Sequence, residues 1–211
     1  MRFAVFGATG GTGRSAIEQA LAAGDKVTAL ARRPAALGEL AEQIDVVEGD
    51  VLDPAAVART VAGSDAVLSA LGIGMRRHAT TVYSQGTANI LDAMRTEGTG
   101  RLLVVSTSSL EIPSPRRIAE WAIAKLLLHN ILRKPYADMA VMEQRLIASD
   151  LDWTLVRAAR LTKAGVTGTY RTARAAKLRG CWSISRADVA HFMVTHVHDR
   201  ETFRATIEIA Y

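Results

Sequence analysis

The glycines at positions 7, 10 and 13 are the residues of this chain best placed to do chemistry. In Phe3-Ala4-Val5-Phe6-Gly7-Ala8-Thr9-Gly10-Gly11-Thr12-Gly13 an uncharged apolar run ends in glycines, and Arg14 to Leu21 then carries apolar side chains at helical spacing. Buried strand, glycine turn and helix, in that order, is the context in which such spacing cradles a phosphate. Gly7 permits the tight turn, Gly10 lets a diphosphate approach the backbone, and Gly13 lets the helix lie close to the sheet. Thr9, Gly11 and Thr12 complete the loop. The first amides of the helix lack partners within it and point at the anion.

The end of the second strand then decides between the two nicotinamide dinucleotides. Binders of NAD place Asp or Glu there, about 20 residues past the glycine turn, to hold the ribose hydroxyls. This chain has Arg32-Arg33 instead, with no acid adjacent in sequence. Guanidinium binds a 2′-phosphate through charge-assisted hydrogen bonds that a carboxylate would repel. NADPH is therefore the expected cofactor. Asp50-Val51, past the third strand, falls where an adenine would lie, and Ala70-Leu71-Gly72, past the fourth, falls under the cofactor backbone.

The fifth strand ends in hydroxyls, Ser106, Thr107, Ser108 and Ser109. The Tyr-x-x-x-Lys pair that donates a proton in many short-chain dehydrogenases is absent: Tyr83 is followed four on by Thr87, Tyr136 by Ala140, Tyr170 by Arg174, and Trp121 precedes Lys125. There is no Gly-x-Ser-x-Gly elbow for a serine hydrolase. His191, His196 and His198 share no helix face well enough to bind a metal, so none is expected.

These residues need elements to position them. Lys26–Ala31 reads as strand two and Ile44–Asp50 as strand three. Asp53 caps a helix with Pro54 at its first position, ending at Gly63. Ala66–Leu71 is strand four, Thr81–Glu97 a long helix closed by Gly98, and Arg101–Ser106 strand five. Ser114–Leu132 reads as a helix that is apolar almost all round, broken by Pro135 before a further helix over Ala137–Ser149. Trp153–Val156 is strand six, 157–185 a basic, loop-rich stretch, Ala187–His198 a helix and Phe203–Ala210 the last strand. Strands alternating with helices through short joins imply a doubly wound parallel sheet with right-handed crossovers, an α/β, Rossmann-like fold. We expect a single domain over 1–211, with a small C-terminal substrate lobe or lid built from about 109–140 and 157–185.

At 211 residues with 49% hydrophobic content, the chain can bury a full core. Its single cysteine, Cys181, cannot form an internal disulfide, and Met1 leads almost directly into strand one, so a cytoplasmic protein without a targeting segment is expected. The net charge of +5 is uneven: residues 1–150 carry 16 basic and 16 acidic side chains, so the excess falls after 150. Arg157, Arg160, Lys163, Arg171, Arg174, Lys177 and Arg179 follow one another with no acid between them. Such a run attracts anions, or is a solvated face. No nucleic-acid-binding signature accompanies it and no segment suits a bilayer, so neither partner is expected.

With these residues in hand, the chain resembles the atypical short-chain dehydrogenase/reductase proteins known as NAD(P)H-binding or NmrA-like, and is similar to the biliverdin-IXβ reductase/flavin reductase group. The resemblance rests on Phe6–Gly13, Arg32, Gly49-Asp50-Val51-Leu52, Val61–Val67, Thr80-Thr81-Val82 leading to Gly86, Ser106-Thr107-Ser108, Leu151–Arg157 and Ile184–Ala190. Where those reductases carry a Pro-Pro-His-type turn after strand six, this chain has Arg157-Ala158-Ala159-Arg160, so biliverdin reduction itself is not implied. The longer segment Leu110–Ala137, with Tyr136-Ala137-Asp138 and Met142-Glu143 ahead of strand six, resembles bacterial NAD(P)H-binding oxidoreductases.

The expected activity is hydride transfer from NADPH to a small planar acceptor such as a flavin or quinone, and the basic run would suit an anionic one. Such an acceptor can take its proton from water and does not need the missing tyrosine. Ser108 is expected to orient nicotinamide or acceptor and Arg160 to bind an acceptor anion, in a monomer or weak homodimer. The alternative is an NmrA-type redox sensor that binds the dinucleotide without turnover.

Overall fold

The structure, a computed structural model, describes residues 1–74, 78–110, 130–180 and 182–211. Alternation along each strand generates its two-sided core. In β1 (Arg2–Phe6), Phe3 and Val5 face one layer while Ala4 and Phe6 face the other. β2 (Lys26–Ala31) does the same with Ala29 and Leu30. With no exposed residue in β1 beyond its first position, both faces must be covered, as parallel sheets require.

α1 (Gly11–Ala22) and α5 (Arg186–Thr195) cover one face. α2 (Pro54–Val61), α3 (Ser84–Glu97) and α4 (Asn130–Ile147) cover the other. The strands are β3 (Asp45–Glu48), β4 (Ala66–Ser69), β5 (Arg101–Thr107), β6 (Asp152–Ala158), β8 (Arg171–Arg174) and β10 (Ala205–Ala210) beside β1 and β2, in the order β3-β2-β1-β4-β5-β6-β10-β8. All neighbours are parallel except β8, which runs antiparallel to β10 at one edge. The order reverses between β1 and β4, so the crevice for a ligand opens there. This is the doubly wound Rossmann-like sheet the sequence implies.

Several boundaries follow from local chemistry. The Asp53 carboxylate accepts from the Ala55 amide with Pro54 at the first helical position, and Gly98 closes α3 at φ +73°. Two expectations fail. Pro135 does not break a helix but lies inside α4. The lost hydrogen bond is outweighed by the docking of α4 on α3 through buried Met142, Leu146 and Asp138. The stretch 157–185 is not simply loop: it forms β8 and the two-stranded ribbon of β7 (Arg160–Thr162) and β9 (Ser183–Ser185). Those strands are legible only through their partners, because their own residues carry little apolar alternation. Of the helix expected over Ser114–Leu132, the part up to His129 lies outside the described residues. Among the described residues no helix is long and apolar enough to cross a membrane.

Candidate functional site

Gly7 turns the chain at φ +79°, and a Cβ there would stand 2.2 Å from the carbonyl oxygen of Ala70, so the β1 and β4 loops touch through this glycine. A Cβ on Gly13 would stand 2.2 Å from the Gly7 oxygen, which is the close helix–strand approach expected of it. Gly10 is less constrained by the protein: its backbone is ordinary extended chain and its nearest neighbour would be the Gly7 oxygen at 3.2 Å. Gly10 caps α1 without a side-chain hydrogen bond, and the first turn holds no acid. The free amides of that turn therefore face outward with no anion of the protein's own. This fits a phosphate-bearing cofactor.

The loop forms one wall of a cleft of about 650 Å³ along the carboxyl ends of the strands. Of the residues singled out in the sequence, Gly7, Thr9, Gly10, Gly11, Thr12, Arg32, Asp50, Val51, Ala70, Leu71 and Gly72 line it. Gly13 supports the loop from within α1. Arg33, Ser108 and Arg160 are not brought in. Arg33 is exposed and opens the short helical turns over Pro34–Glu42. Ser108 lies past the end of β5, where the chain curls, and faces a separate cavity of about 300 Å³ with Arg157, Lys177 and Glu208. Arg160 is exposed on β7, while its neighbour Leu161 lines the cleft.

Arg32 is not free of acids either. Asp50, arriving from the end of β3, places Oδ2 3.9 Å from Arg32 Nη1, with side chains 63% and 41% exposed for Arg32 and Asp50. A pair this exposed contributes at most about 1 kcal/mol. A phosphate accepting charge-assisted bonds outcompetes it.

The far wall combines the end of β5 with residues from more distant parts of the chain. Ser106 and Thr107 end β5 inside the cleft, and Tyr83, Met139, Leu161 and Arg186 close it. The Asp138 carboxylate accepts from the Tyr83 amide at 2.9 Å and from the Ser84 hydroxyl, so α4 caps α3 from outside. Arg145 donates to the Ser84 carbonyl at 2.9 Å, and this docking sets Met139 against the cleft. Glu143, also buried, accepts from the Ser106 hydroxyl at 2.5 Å and from Arg157 at 2.6 Å and 3.2 Å. With its proton directed at Glu143, the Ser106 hydroxyl has only acceptor capacity left for any ligand that reaches it. The Asp138 and Glu143 of the sequence motifs thus hold the substrate wall onto the sheet. Tyr83 is buried, which pushes its phenol pKa up; the Ile73 amide, donating to its oxygen at 3.4 Å, opposes this, and nearby Asp138 and Tyr136 add to the rise. Ser106 stood among the strand-end hydroxyls and Arg186 within Ile184–Ala190, though neither carried a role on sequence alone; Met139 and Leu161 had no sequence signal.

A family model described as NAD(P)H-binding matches residues 7–200. The chain belongs to the NAD(P)H-binding family. Among curated proteins it is 36% identical over 109 residues, 51% of the chain, to an uncharacterised Mycobacterium tuberculosis protein, of which the match covers 12%. It is 32% identical over 111 residues, 49% of the chain and 33% of the relative, to the 2-alkyl-3-oxoalkanoate reductase of Stenotrophomonas maltophilia. The chain thus spans well under half the length of these relatives. Its fold is that of a Veillonella parvula short-chain dehydrogenase/reductase in complex with NADP (TM-score 0.82, 18% identity, 100% of this chain and 94% of that one). It is likewise that of the anaerobillin reductase of Escherichia coli O157:H7 (TM-score 0.78, 22% identity, 100% and 97%).

Proposed function

We propose that this protein is an NADPH-dependent oxidoreductase that delivers hydride to a planar conjugated acceptor, such as a flavin or quinone. The observation that carries the reading is the composition of the cleft: an uncapped glycine loop and Arg32 on one side, and Ile73, Val82, Met139 and Leu161 on the other. The bound dinucleotide would supply the hydride. The glycine loop and the amides of α1 would hold its diphosphate, Arg32 its 2′-phosphate, and Asp50 and Val51 its adenosine end. Ser106, an acceptor with its own proton committed to Glu143, would orient an amide or imide N–H, taking the role the sequence suggested for Ser108.

A ketone needs a proton as charge develops on its oxygen, and a general acid typically contributes about 10²–10⁴-fold. Tyr83 is the one phenol lining the cleft among the described residues, and burial works against its giving up a proton. A conjugated ring spreads the arriving charge and can collect its proton from water. The similar proteins point both ways, one named as a reductase of 2-alkyl-3-oxoalkanoates and one as a reductase of anaerobillin. A cytoplasmic setting, where NADPH is kept reduced, suits the reading.

The test follows NADPH absorbance with a panel of flavins, quinones, linear tetrapyrroles and 3-oxoacyl compounds. Turnover of planar acceptors with weak turnover of ketones is the expected result. Robust ketone reduction would mean that the cleft supplies a general acid, and Tyr83→Phe would then test whether Tyr83 is that acid. Tight NADPH binding with no turnover on any acceptor would favour a dinucleotide sensor.

A further inference from the structure

Arg186 stands where α5 begins, and its side chain reaches across to the glycine loop. A Cβ added to Gly11 would lie 2.6 Å from Arg186 Cδ and 3.4 Å from its Nε, so the arginine stem occupies the space that any other residue at position 11 would fill. Gly11 is not among the positive-φ glycines, so its backbone does not require glycine. Arg186 is the side chain a Cβ there would meet, and a larger residue at position 11 would have to displace it. The guanidinium is fixed from behind by carbonyl oxygens of β7: Nη1 donates to Thr162 at 2.9 Å and to Leu161 at 3.4 Å. Among the described residues no carboxylate pairs with it. Asp188, the nearest acid in sequence, accepts instead from Thr167, Gly168 and Tyr211. Arg186 thus brings an unneutralised, pre-oriented cation to the uncapped amino terminus of α1, inside the cleft.

We infer that Arg186 binds the bridging diphosphate of the dinucleotide and so makes the site selective for dinucleotides over mononucleotides. This rests on the proposed cofactor reading and adds a residue to it. Two positive features with no negative partner, converging on one point, fit an anion of two linked phosphates. Planar guanidinium held on one edge keeps its other edge for such an oxygen pair. The role differs from that of Arg32, which sits at the far end of the cleft's loop series and reads the 2′-phosphate alone.

The difference gives the test. Calorimetric titration of the full chain would use NADPH, NADH and adenosine 2′-monophosphate, the last carrying a 2′-phosphate but no diphosphate. Arg186→Gln should weaken NADPH and NADH by the same factor, about 10- to 100-fold for a charge-assisted contact, and leave the mononucleotide unchanged. Arg186→Lys, which keeps the charge and loses the fork, should fall between. Unchanged NADPH affinity in Arg186→Gln, with wild type binding normally, overturns the inference alone. So does an equal loss for all three ligands together with a lower melting temperature of the free protein, since Arg186 would then only brace β7. Wild-type protein that binds no dinucleotide overturns the cofactor reading and this inference with it.

Discussion

The two ends of the sheet handle polarity in opposite ways. At the amino-terminal end, Arg101 opens β5 and is buried, yet its guanidinium donates to the carbonyls of Val197 and Asp152, both at 2.7 Å, and to the Thr202 hydroxyl at 3.0 Å. The Phe203 ring lies 4.5 Å from its central carbon. Burial lowers its pKa to about 10, against the pull of Asp152 and Asp199. Nearby, Asp65 accepts from the Arg2 amide at 2.7 Å and Asp25 from the terminal ammonium at 2.5 Å. At the carboxyl end, α1 has no side-chain cap and Arg32 is only loosely paired, both beside the cleft. Helix-end amides and a cation left open around a cleft are groups that an anion can complete. One end holds the fold and the other awaits a ligand.

The largest effect should come from the saturated end. Arg101→Ala strands several buried carbonyls, each bond to the charged group contributing about 1.5–3 kcal/mol. A loss near 4 kcal/mol corresponds to a melting point lower by roughly 8–16 °C for a chain of this size. Thermal melts should show that fall, while NADPH affinity of the folded protein stays within about twofold. A large affinity loss would break the division between the ends.

Within the glycine loop the same division runs between neighbouring residues. Gly13→Ala drives a Cβ into the Gly7 backbone and should lower the melting temperature markedly. Gly10→Val puts its Cβ 3.2 Å from the Gly7 oxygen, a tight contact relieved by a shift of a few tenths of an ångström, on a backbone that suits a β-branched residue. It should melt within a few degrees of wild type yet lose NADPH binding by more than about 100-fold, about 2.7 kcal/mol. Unfolding in Gly10→Val would place Gly10 with the structural glycines instead.

Arg32→Ala comes next in size. Losing one charge-assisted contact should weaken NADPH by about 10- to 100-fold and leave NADH nearly unchanged. Arg33→Ala, outside the cleft, should alter neither. Equal losses for both cofactors would show that Arg32 supports the loop and not the 2′-phosphate. Asp50 sharpens the case: removing it as Asp50→Asn should change NADPH binding less than the loss of Arg32, because their exposed 3.9 Å pair is weak.

What the sequence disclosed follows the range of the forces involved. The glycine loop, Asp53 with Pro54, and Gly98 act within a few residues, so their types and spacing announce them. Strand ends follow from buried runs, which brought Asp50, Val51 and Ala70 to the cleft. Ser108 lies elsewhere because the chain curls into a short helical turn as β5 ends, so that Val105, Ser106 and Thr107 line the cleft while Ser108 faces the second cavity. The opposite wall depends on α4 docking through Asp138 and Glu143 and on a ribbon pairing residues more than twenty apart. Pro135 reads locally as a breaker, and only those distant contacts make its place in a helix tolerable.

Asp188 tests the comparison where it is least sharp, since it lies two residues from Arg186 at the ligand end yet is saturated. Burial alone would raise its carboxyl pKa. The Tyr211 hydroxyl at 2.6 Å, the Thr167 and Gly168 amides and the Thr167 hydroxyl outweigh this and bring it to about 2, below the ordinary 3.8. A depressed folded value means stabilisation that is complete above about pH 4 and is lost as pH falls through about 2. Tyr211→Phe removes one of the four donors and should cost about 1–2 kcal/mol at pH 7. Urea midpoints of the two proteins should differ at neutral pH, and the gap should narrow from pH 4 towards pH 2 as both carboxyls become protonated. NADPH affinity should not change. A gap independent of pH would mean that Tyr211 acts by packing or by accepting from the Ser185 amide at 3.1 Å, and not through the carboxylate. A loss of NADPH affinity would move Asp188 from the group that holds the fold to the group that holds the ligand, through its neighbour Arg186.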